Sequence, residues 1–255
     1  MNSDTHQAEI IRQFTLQAVP FARHQAHSAL ESFDFIRDIA RLDGTQYVLD
    51  AGCGPGLVCC ALAPHCREIT GVDVTKAMID EAGRRAEEAG LENTRFVEGD
   101  MAALPFADET FDVAVSRYVF HHLENPLVVL REMARVTRPG GRIVICDASP
   151  AAACRENYDR FEKLRDASHT SALTLEEFVA LGEAVDLGEA SIRRFGLPME
   201  LDSLIDSSFP SGERDELRAI IRGDIGRNAC GFSAREVGER LCITFPITVA
   251  GWTRK

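Results

Sequence analysis

No C-x-x-C pair occurs among the eight cysteines, Cys53, Cys59, Cys60, Cys66, Cys146, Cys154, Cys230 and Cys242. The sequence therefore carries neither a zinc knuckle nor a thioredoxin-type motif, and no metal is expected. Several of these thiols lie in apolar runs, as in Val58-Cys59-Cys60-Ala61, where cysteine acts as a small hydrophobe. A reduced, cytoplasmic protein is the expectation. The N-terminal Met1-Asn2-Ser3-Asp4-Thr5-His6-Gln7 has no basic stretch leading into an apolar one, and no uninterrupted apolar run approaches about 18 residues. Export and a membrane span are both disfavoured. Positive charge is scarce as well: 28 Lys and Arg stand against 40 Asp and Glu, a formal charge of −12. Polyanion binding depends on basic side chains that neutralise phosphates, so a nucleic-acid partner is not expected.

What is present is a chain of 255 residues, 45% hydrophobic, which is long enough to bury a core without staples. Three regions differ in pattern. Residues 1–46 read as helical, with Ile10, Ile11, Phe14 and Ala18, then Leu30, Phe33, Ile36 and Ile39, near helical spacing. Within them Phe14 to Arg23 is expected to fold over a ligand as a lid. Residues 47–149 alternate strand and helix. Tyr47-Val48-Leu49-Asp50, Ile69 to Asp73, Thr94 to Glu98, Phe111 to Ser116 and Arg142 to Asp147 read as strands. Helices are predicted from about Leu57, over Lys76 to Ala89 and over Pro126 to Val136, and Pro139-Gly140-Gly141 reads as a turn. Repeated strand-then-helix steps imply a parallel sheet with helices on both faces.

Residues 150–255 are less regular and are expected to complete the same domain around an acceptor pocket. Arg155 to Leu164 and Thr174 to Ala184 read as helices, the second opened by a capping box of Thr174 and Glu177. Ala190 to Phe195 reads as a strand, residues 201–227 as helical with Ser203 and Ser211 as caps, and Cys242 to Ala250 as a closing strand. Pro246 in that last run suggests a bulge or an unpaired edge. The expected fold is thus α/β, a doubly wound, Rossmann-like, mostly parallel seven-stranded sheet with N-terminal and C-terminal helical lid segments.

A strand that runs into glycines and then a helix is a place for an anionic or polar ligand. The phosphate loop G-x-x-x-x-G-K-[ST] is absent, and Gly52-x-Gly54-x-x-Leu57 puts leucine where a dinucleotide fingerprint has its third glycine. What stands instead is Asp50-x-Gly52-x-Gly54-x-Gly56. Its glycines let the backbone pass close beneath a ligand, and Asp50 is suited to an amino group. A sulfonium amino acid has an ammonium group and no pyrophosphate. Asp73 ends the second strand, where a carboxylate faces a ribose diol in doubly wound folds, although an acid there also suits the start of the next helix. Gly99-Asp100-Met101 follows the third strand and offers a side-chain acceptor and a backbone N–H to an adenine edge.

These motifs, with Phe111-Asp112-Val113-Ala114-Val115-Ser116 and Arg131-Glu132-Met133-Ala134-Arg135-Val136-Thr137-Arg138-Pro139-Gly140-Gly141, resemble the class I S-adenosylmethionine-dependent methyltransferases. Within them the chain is similar to the ubiquinone/menaquinone C-methylase-like group, firmly over about residues 45–149. The resemblance implies S-adenosylmethionine as cofactor and S-adenosylhomocysteine as product. It implies that Gly52, Gly54 and the adjoining backbone hold the methionine part, with Asp50, Cys53 and Gly56 in the same loop. Asp73 would accept the ribose hydroxyls, with Val74 against the adenine and Met78 beside it. Asp100 and Met101 would read the adenine, and Ser116 and Arg117 would lie near the methionine ammonium.

The segment after the fourth strand, Ser116-Arg117-Tyr118-Val119-Phe120-His121-His122-Leu123, is expected to face the transferring methyl. His121, His122 and Tyr118 are its candidate catalytic groups. A histidine suits removal of a proton from a phenol, amine or carbon nucleophile, and it equally suits orienting the loop. Ser116 and Arg117 offer no acids for magnesium at that strand end, and Asp147 is a single carboxylate suited to a cap or a substrate contact. Tyr158, Phe161, His169 and Phe195 are expected either to line the acceptor pocket or to be core. The leading reading is methyl transfer to an O, N or ring C atom of a small molecule, by a monomer or homodimer in a biosynthetic pathway. The alternatives are a protein that binds the cofactor without transferring methyl, and a nicotinamide-dependent oxidoreductase.

Overall fold

A strand covered by helices on both sides is apolar along its whole length, and in β1 (Tyr47–Ala51) every residue after Tyr47 is buried. The computed structural model describes residues 11, 12, 15, 30–208 and 210–255. In it β1, β2 (Glu68–Asp73), β3 (Thr94–Glu98), β4 (Phe111–Arg117) and β5 (Thr137–Ala148) are parallel and lie in the order β3-β2-β1-β4-β5. The connection changes direction between β1 and β4, which opens a crevice beyond their carboxyl ends. Alternate residues feed two cores. Val48, Val113, Val115 and Val144 pack with Ile36 and Ile39 of α1 (Leu30–Ala40) and with Val58 and Cys59 of α2 (Leu57–Leu62). Leu49, Ala114, Ile143 and Ile145 pack on the other face with Leu130 and Met133 of α4 (Pro126–Val136), which follows α3 (Lys76–Glu88) in the chain.

The sheet is completed by β6 (Ser191–Glu200) and β8 (Arg240–Thr253), which extend the path to β5-β8-β6, and the short β7 (Arg235–Val237) pairs with β8 as an eighth strand. β8 is antiparallel to both neighbours and is internal to the sheet. Pro246 makes no bulge, and it stands where one side of β8 has run past its β5 ladder and is locally an edge. It pairs with Gly196 one residue beyond the end of the β5 ladder at Ala148–Ile247. Its carbonyl accepts from Ser149 on the β5 side (2.7 Å), the side on which its missing N–H costs no ladder bond. The turn expected at Pro139 to Gly141 is an irregularity inside β5: Phe111 pairs with Thr137, whereas Val113 pairs with Arg142.

The helices α5 (Arg155–Arg165) and α6 (Leu175–Ala184) lie where the pattern puts them, and Thr174 and Glu177 form the expected capping box. The helical stretch over residues 201–227 divides into α7 (Leu201–Ser208) and α8 (Arg214–Asp224), with Pro210 between them. Neither serine caps a helix: Ser203 donates to Glu200, Ser211 donates to the carbonyls of Lys163 and Leu164, and Glu213 stands at the cap position of α8. The lid expected over Phe14 to Arg23 lies outside the described residues except for Thr15. Among the described residues no helix is long and apolar enough to cross a membrane.

Candidate active site

The glycine loop turns because three of its residues take backbone angles that side chains resist. Gly52, Gly54 and Gly56 have φ of 74°, 51° and 79°. A Cβ at Gly52 would also lie 2.6 Å from Val119 Cγ2, so the segment after β4 packs directly on the loop. A Cβ at Gly56 would meet Ala82 of α3 at 2.9 Å, which makes that glycine a packing residue of the helix behind. The loop is tied to β2 by Gly52 and Cys53, whose N–H groups donate to the Val72 carbonyl at 2.8 and 2.9 Å. Asp73 completes the tie, accepting from Gly54 N–H and Thr75 N–H at 2.9 Å each. Burial raises its pKa against these backbone donors.

Above the loop is a cleft of about 300 Å³. Gly52, Cys53 and Gly54 line its floor, and Asp73, Val74 and Met78 line one side. Asp100 and Met101 follow from the end of β3, and Arg117, Tyr118 and His122 close it from the end of β4. Eleven of the residues singled out in the sequence thus converge on one space. Four do not line it. Asp50 is fully buried beneath the loop, where it accepts from the Cys59 thiol at 3.3 Å; its Oδ1 has no partner among the described residues. Burial pushes its pKa up to about 7. Ser116 is buried in β4 with its hydroxyl unpartnered among the described residues, Gly56 packs on α3, and His121 lines a second space.

A carboxylate at the end of β2, an acid and an apolar side chain after β3 and a glycine floor suit a ribose, an adenine and an amino-acid tail in sequence. Residues 49–145 match the family described as Methyltransferase domain. Over 171 residues the chain is 36% identical to the uncharacterized methyltransferase YcgJ of Bacillus subtilis, covering 66% of this chain and 68% of that one. It belongs to the class I S-adenosylmethionine-dependent methyltransferases. The crystal structure of YcgJ superposes with a TM-score of 0.79 at 29% identity, covering 88% of this chain and 99% of that one. The demethylmenaquinone methyltransferase of Clavibacter sepedonicus is 34% identical over 129 residues, 50% of this chain and 51% of that one. The cofactor of this methyltransferase is S-adenosylmethionine, which supplies an electrophilic methyl group on a sulfonium. The cleft fits it: a Cβ at Gly54 would meet nothing within 4 Å, so the loop there stands open to a ligand.

The methyltransferase has a second cavity, of about 90 Å³, which meets the cleft at Tyr118 and His122, since both residues line both spaces. Tyr118 sits at φ 59°, a strained setting for an aromatic residue, with its hydroxyl buried and unpartnered among the described residues. The Arg117 guanidinium stacks 4.2 Å from its ring centroid and 4.7 Å from that of Phe33, and Arg117 Nε donates to Ser32 at 3.1 Å. His121 and His122 follow on a short helical turn, and their environments differ. His121 Nδ1 lies 2.6 Å from Asp147 Oδ1 at the end of β5. Burial works against its protonated form, yet the Asp147 carboxylate outweighs burial and raises the pKa, and the same pairing holds Asp147 low. His122 is buried as well. Its Nδ1 donates to the Ser168 carbonyl at 3.1 Å, and burial together with neighbouring His121 lowers its pKa to about 3.

The rest of this cavity was not visible in the sequence. Glu162 and Arg165 of α5 line it with Asp166 just beyond, and Arg165 grips Glu162 with two prongs at 3.0 and 2.6 Å and Ser208 with a third donor at 2.9 Å. Opposite stand Leu197, Met199, Leu204, Phe245 and Ile247. Of the aromatic and imidazole side chains offered as pocket walls, Tyr158 lines the cavity. Phe161 is core against Phe232, and Phe195 packs on Phe35. His169 is turned aside by Asp159, which lies 2.7 Å from its Nε2. Asp147 does not stand alone: it accepts from the backbone N–H of His121 in the short helical turn at 3.3 Å as well as pairing with its ring, and it lines the second cavity.

Proposed function

We propose that this methyltransferase moves a methyl group to an O, N or ring C atom of a small-molecule acceptor held in the second cavity, as a monomer or homodimer at work in a cytoplasmic biosynthetic pathway without nucleic acid. The observation that carries the reading is the shared wall. A second cavity, of about 90 Å³, shares Tyr118 and His122 with the cofactor cleft, a size and place that suit a small molecule beside the transferring methyl. The excess of acid, 40 residues against 28 basic ones, supports the same side of the choice. Much of the rate then comes from positioning acceptor and methyl in line.

In this reading Asp73 takes the ribose hydroxyls on the lone pairs left by Gly54 and Thr75, and Val74 and Met78 cover the adenine. Asp100 and Met101 read the adenine edge. Gly52, Cys53 and Gly54 hold the methionine end, and Asp50 and Ser116 support it from beneath, beside Arg117. His121 is the base, held by Asp147 in the tautomer whose lone pair is on Nε2; His122 and Tyr118 form the partition. Transfer of labelled methyl from S-adenosylmethionine to phenols, quinols and heterocyclic amines tests the proposal. Label appearing in protein or RNA, and in no small molecule, would overturn it.

Two measurements follow from the assignments. Asp73→Ala is expected to weaken cofactor binding by about 1–3 kcal/mol, the scale for a lost charged hydrogen-bond partner, or roughly 5- to 150-fold in Kd by calorimetry. Unchanged affinity would mean that the ribose is held elsewhere. The base must be neutral to accept a proton, and His121 has a raised pKa, so kcat rises with pH through that value and levels above it. Asp147→Asn removes the charge that raises it, so the inflection moves to lower pH while the plateau falls. A profile whose inflection is indifferent to Asp147→Asn assigns the titration to another group.

A further inference from the structure

Resting on that reading, we propose that the acceptor is an uncharged phenol of a single aromatic ring. Size comes first. A cavity of about 90 Å³, against about 150 Å³ to enclose a whole benzene, takes no more than one six-membered ring, its reacting edge toward the shared wall at Tyr118 and His122. One wall, made by Leu197 and Met199 of β6, Leu204 of α7 and Phe245 and Ile247 of β8, is apolar and suits a ring face.

Charge decides the second point. The ionisable groups that face the cavity are Asp147 from β5, Glu162 and Arg165 from α5, Asp166 beyond it, and Tyr118, His121 and His122 from the turn after β4, with Tyr158 beside them. Three carboxylates thus stand against one guanidinium and one histidine able to carry a proton, so an incoming anion meets net negative charge. Arg165 does not offset this for a ligand, since Glu162 takes two of its prongs and Ser208 a third donor. The carboxylates are committed as well. Asp147 accepts from His121 and from Ala148 N–H at 2.7 Å, and Asp166 accepts from Ser168 N–H at 2.9 Å and Ser168 Oγ–H at 2.5 Å. Little carboxylate is thus left to seat an ammonium, Asp166 Oδ2 lying 4.0 Å from Arg165, so the preferred guest carries no charge.

Chemistry decides the third. A histidine–carboxylate pair at the junction is of use to a nucleophile that must lose a proton as it attacks. A neutral amine attacks without losing one, and an aliphatic hydroxyl holds its proton far more tightly than a phenol does. A phenol, near the tyrosine value of about 10, lies within reach. The O–H proton passes to His121 Nε2 and the oxygen lone pair forms the new O–CH3 bond. The electrons of the broken C–S bond leave with the sulfur of S-adenosylhomocysteine.

The experiment supplies the purified chain with S-adenosylmethionine labelled in its methyl and compares phenol, 4-methylphenol and catechol with 4-hydroxybenzoate and tyramine, which add one negative or one positive charge to the same ring. The neutral phenols are expected to be O-methylated, with kcat/KM for both charged rings lower by about tenfold or more. No transfer to any neutral phenol, or equal turnover of a charged one, overturns the proposal. Methyl found on the tyramine nitrogen or the benzoate carboxylate overturns it too, yet leaves small-molecule methyl transfer standing. A second arm uses Met199→Lys, at a half-buried position in the apolar wall where a lysine reaches water. It is expected to raise the preference for 4-hydroxybenzoate over 4-methylphenol by about tenfold. An unchanged ratio would remove the second cavity from acceptor choice.

Discussion

His121→Ala is expected to lower kcat by about 100- to 10,000-fold, the range for loss of a positioned general base. Affinity for S-adenosylmethionine should stay within about a factor of two, because the ring faces the second cavity and not the cofactor cleft. His122→Ala is the internal comparison. Its ring lines both spaces, so its loss should move cofactor affinity as well as turnover. If the two variants instead behave alike, or His121→Ala leaves kcat intact, the pair with Asp147 is an orienting contact and the proton leaves by another route.

Trp252→Ala is expected to cost about 3–5 kcal/mol of stability, the range for removing a fully buried aromatic. Trp252 is 1% exposed on β8, opposite Ile143, and it fills the space where α6 has no side chain at Gly182. A Cβ at Gly182 would lie 2.3 Å from the indole Nε1, so the two positions are fitted to each other. At about 2–4 °C per kcal/mol for a chain of this size, Tm should fall by roughly 6–20 °C. Circular dichroism is the measurement to use, since this is the only tryptophan and its fluorescence goes with it. A fall of less than a few degrees would mean that α6 can move in to refill the site.

The parallel half of the fold was legible because its strands are buried on both faces. Runs such as Tyr47 to Ala51 and Phe111 to Arg117 read as apolar blocks, and the helices between them show their own period. The cofactor side was legible for the same reason: Asp50, Asp73 and Asp100 stand where an apolar run stops, so their positions along the strands follow from the pattern. The acceptor side was not. Glu162, Arg165 and Asp166 have the spacing of an exposed salt-bridged helix face, and only the packing of α5 over β8 and α7 encloses them. Nor does local pattern tell that Asp147 meets His121, since the two are 26 residues apart and join through the β4–β5 pairing. The division of residues 201–227 was signalled by Pro210 and Gly212, and the pairing of β8 between β5 and β6 by nothing local at all.

The partition at Tyr118 has a thermodynamic consequence. Under the proposed function, Tyr118, strained, its buried hydroxyl unpartnered among the described residues and its side chain shared by two chambers, is an element whose setting both guests would bias. By linkage, whatever factor the cofactor contributes to acceptor affinity through this wall, the acceptor returns to cofactor affinity in equal measure. Filling one chamber would therefore change the affinity of the other by the same factor, whichever guest arrives first.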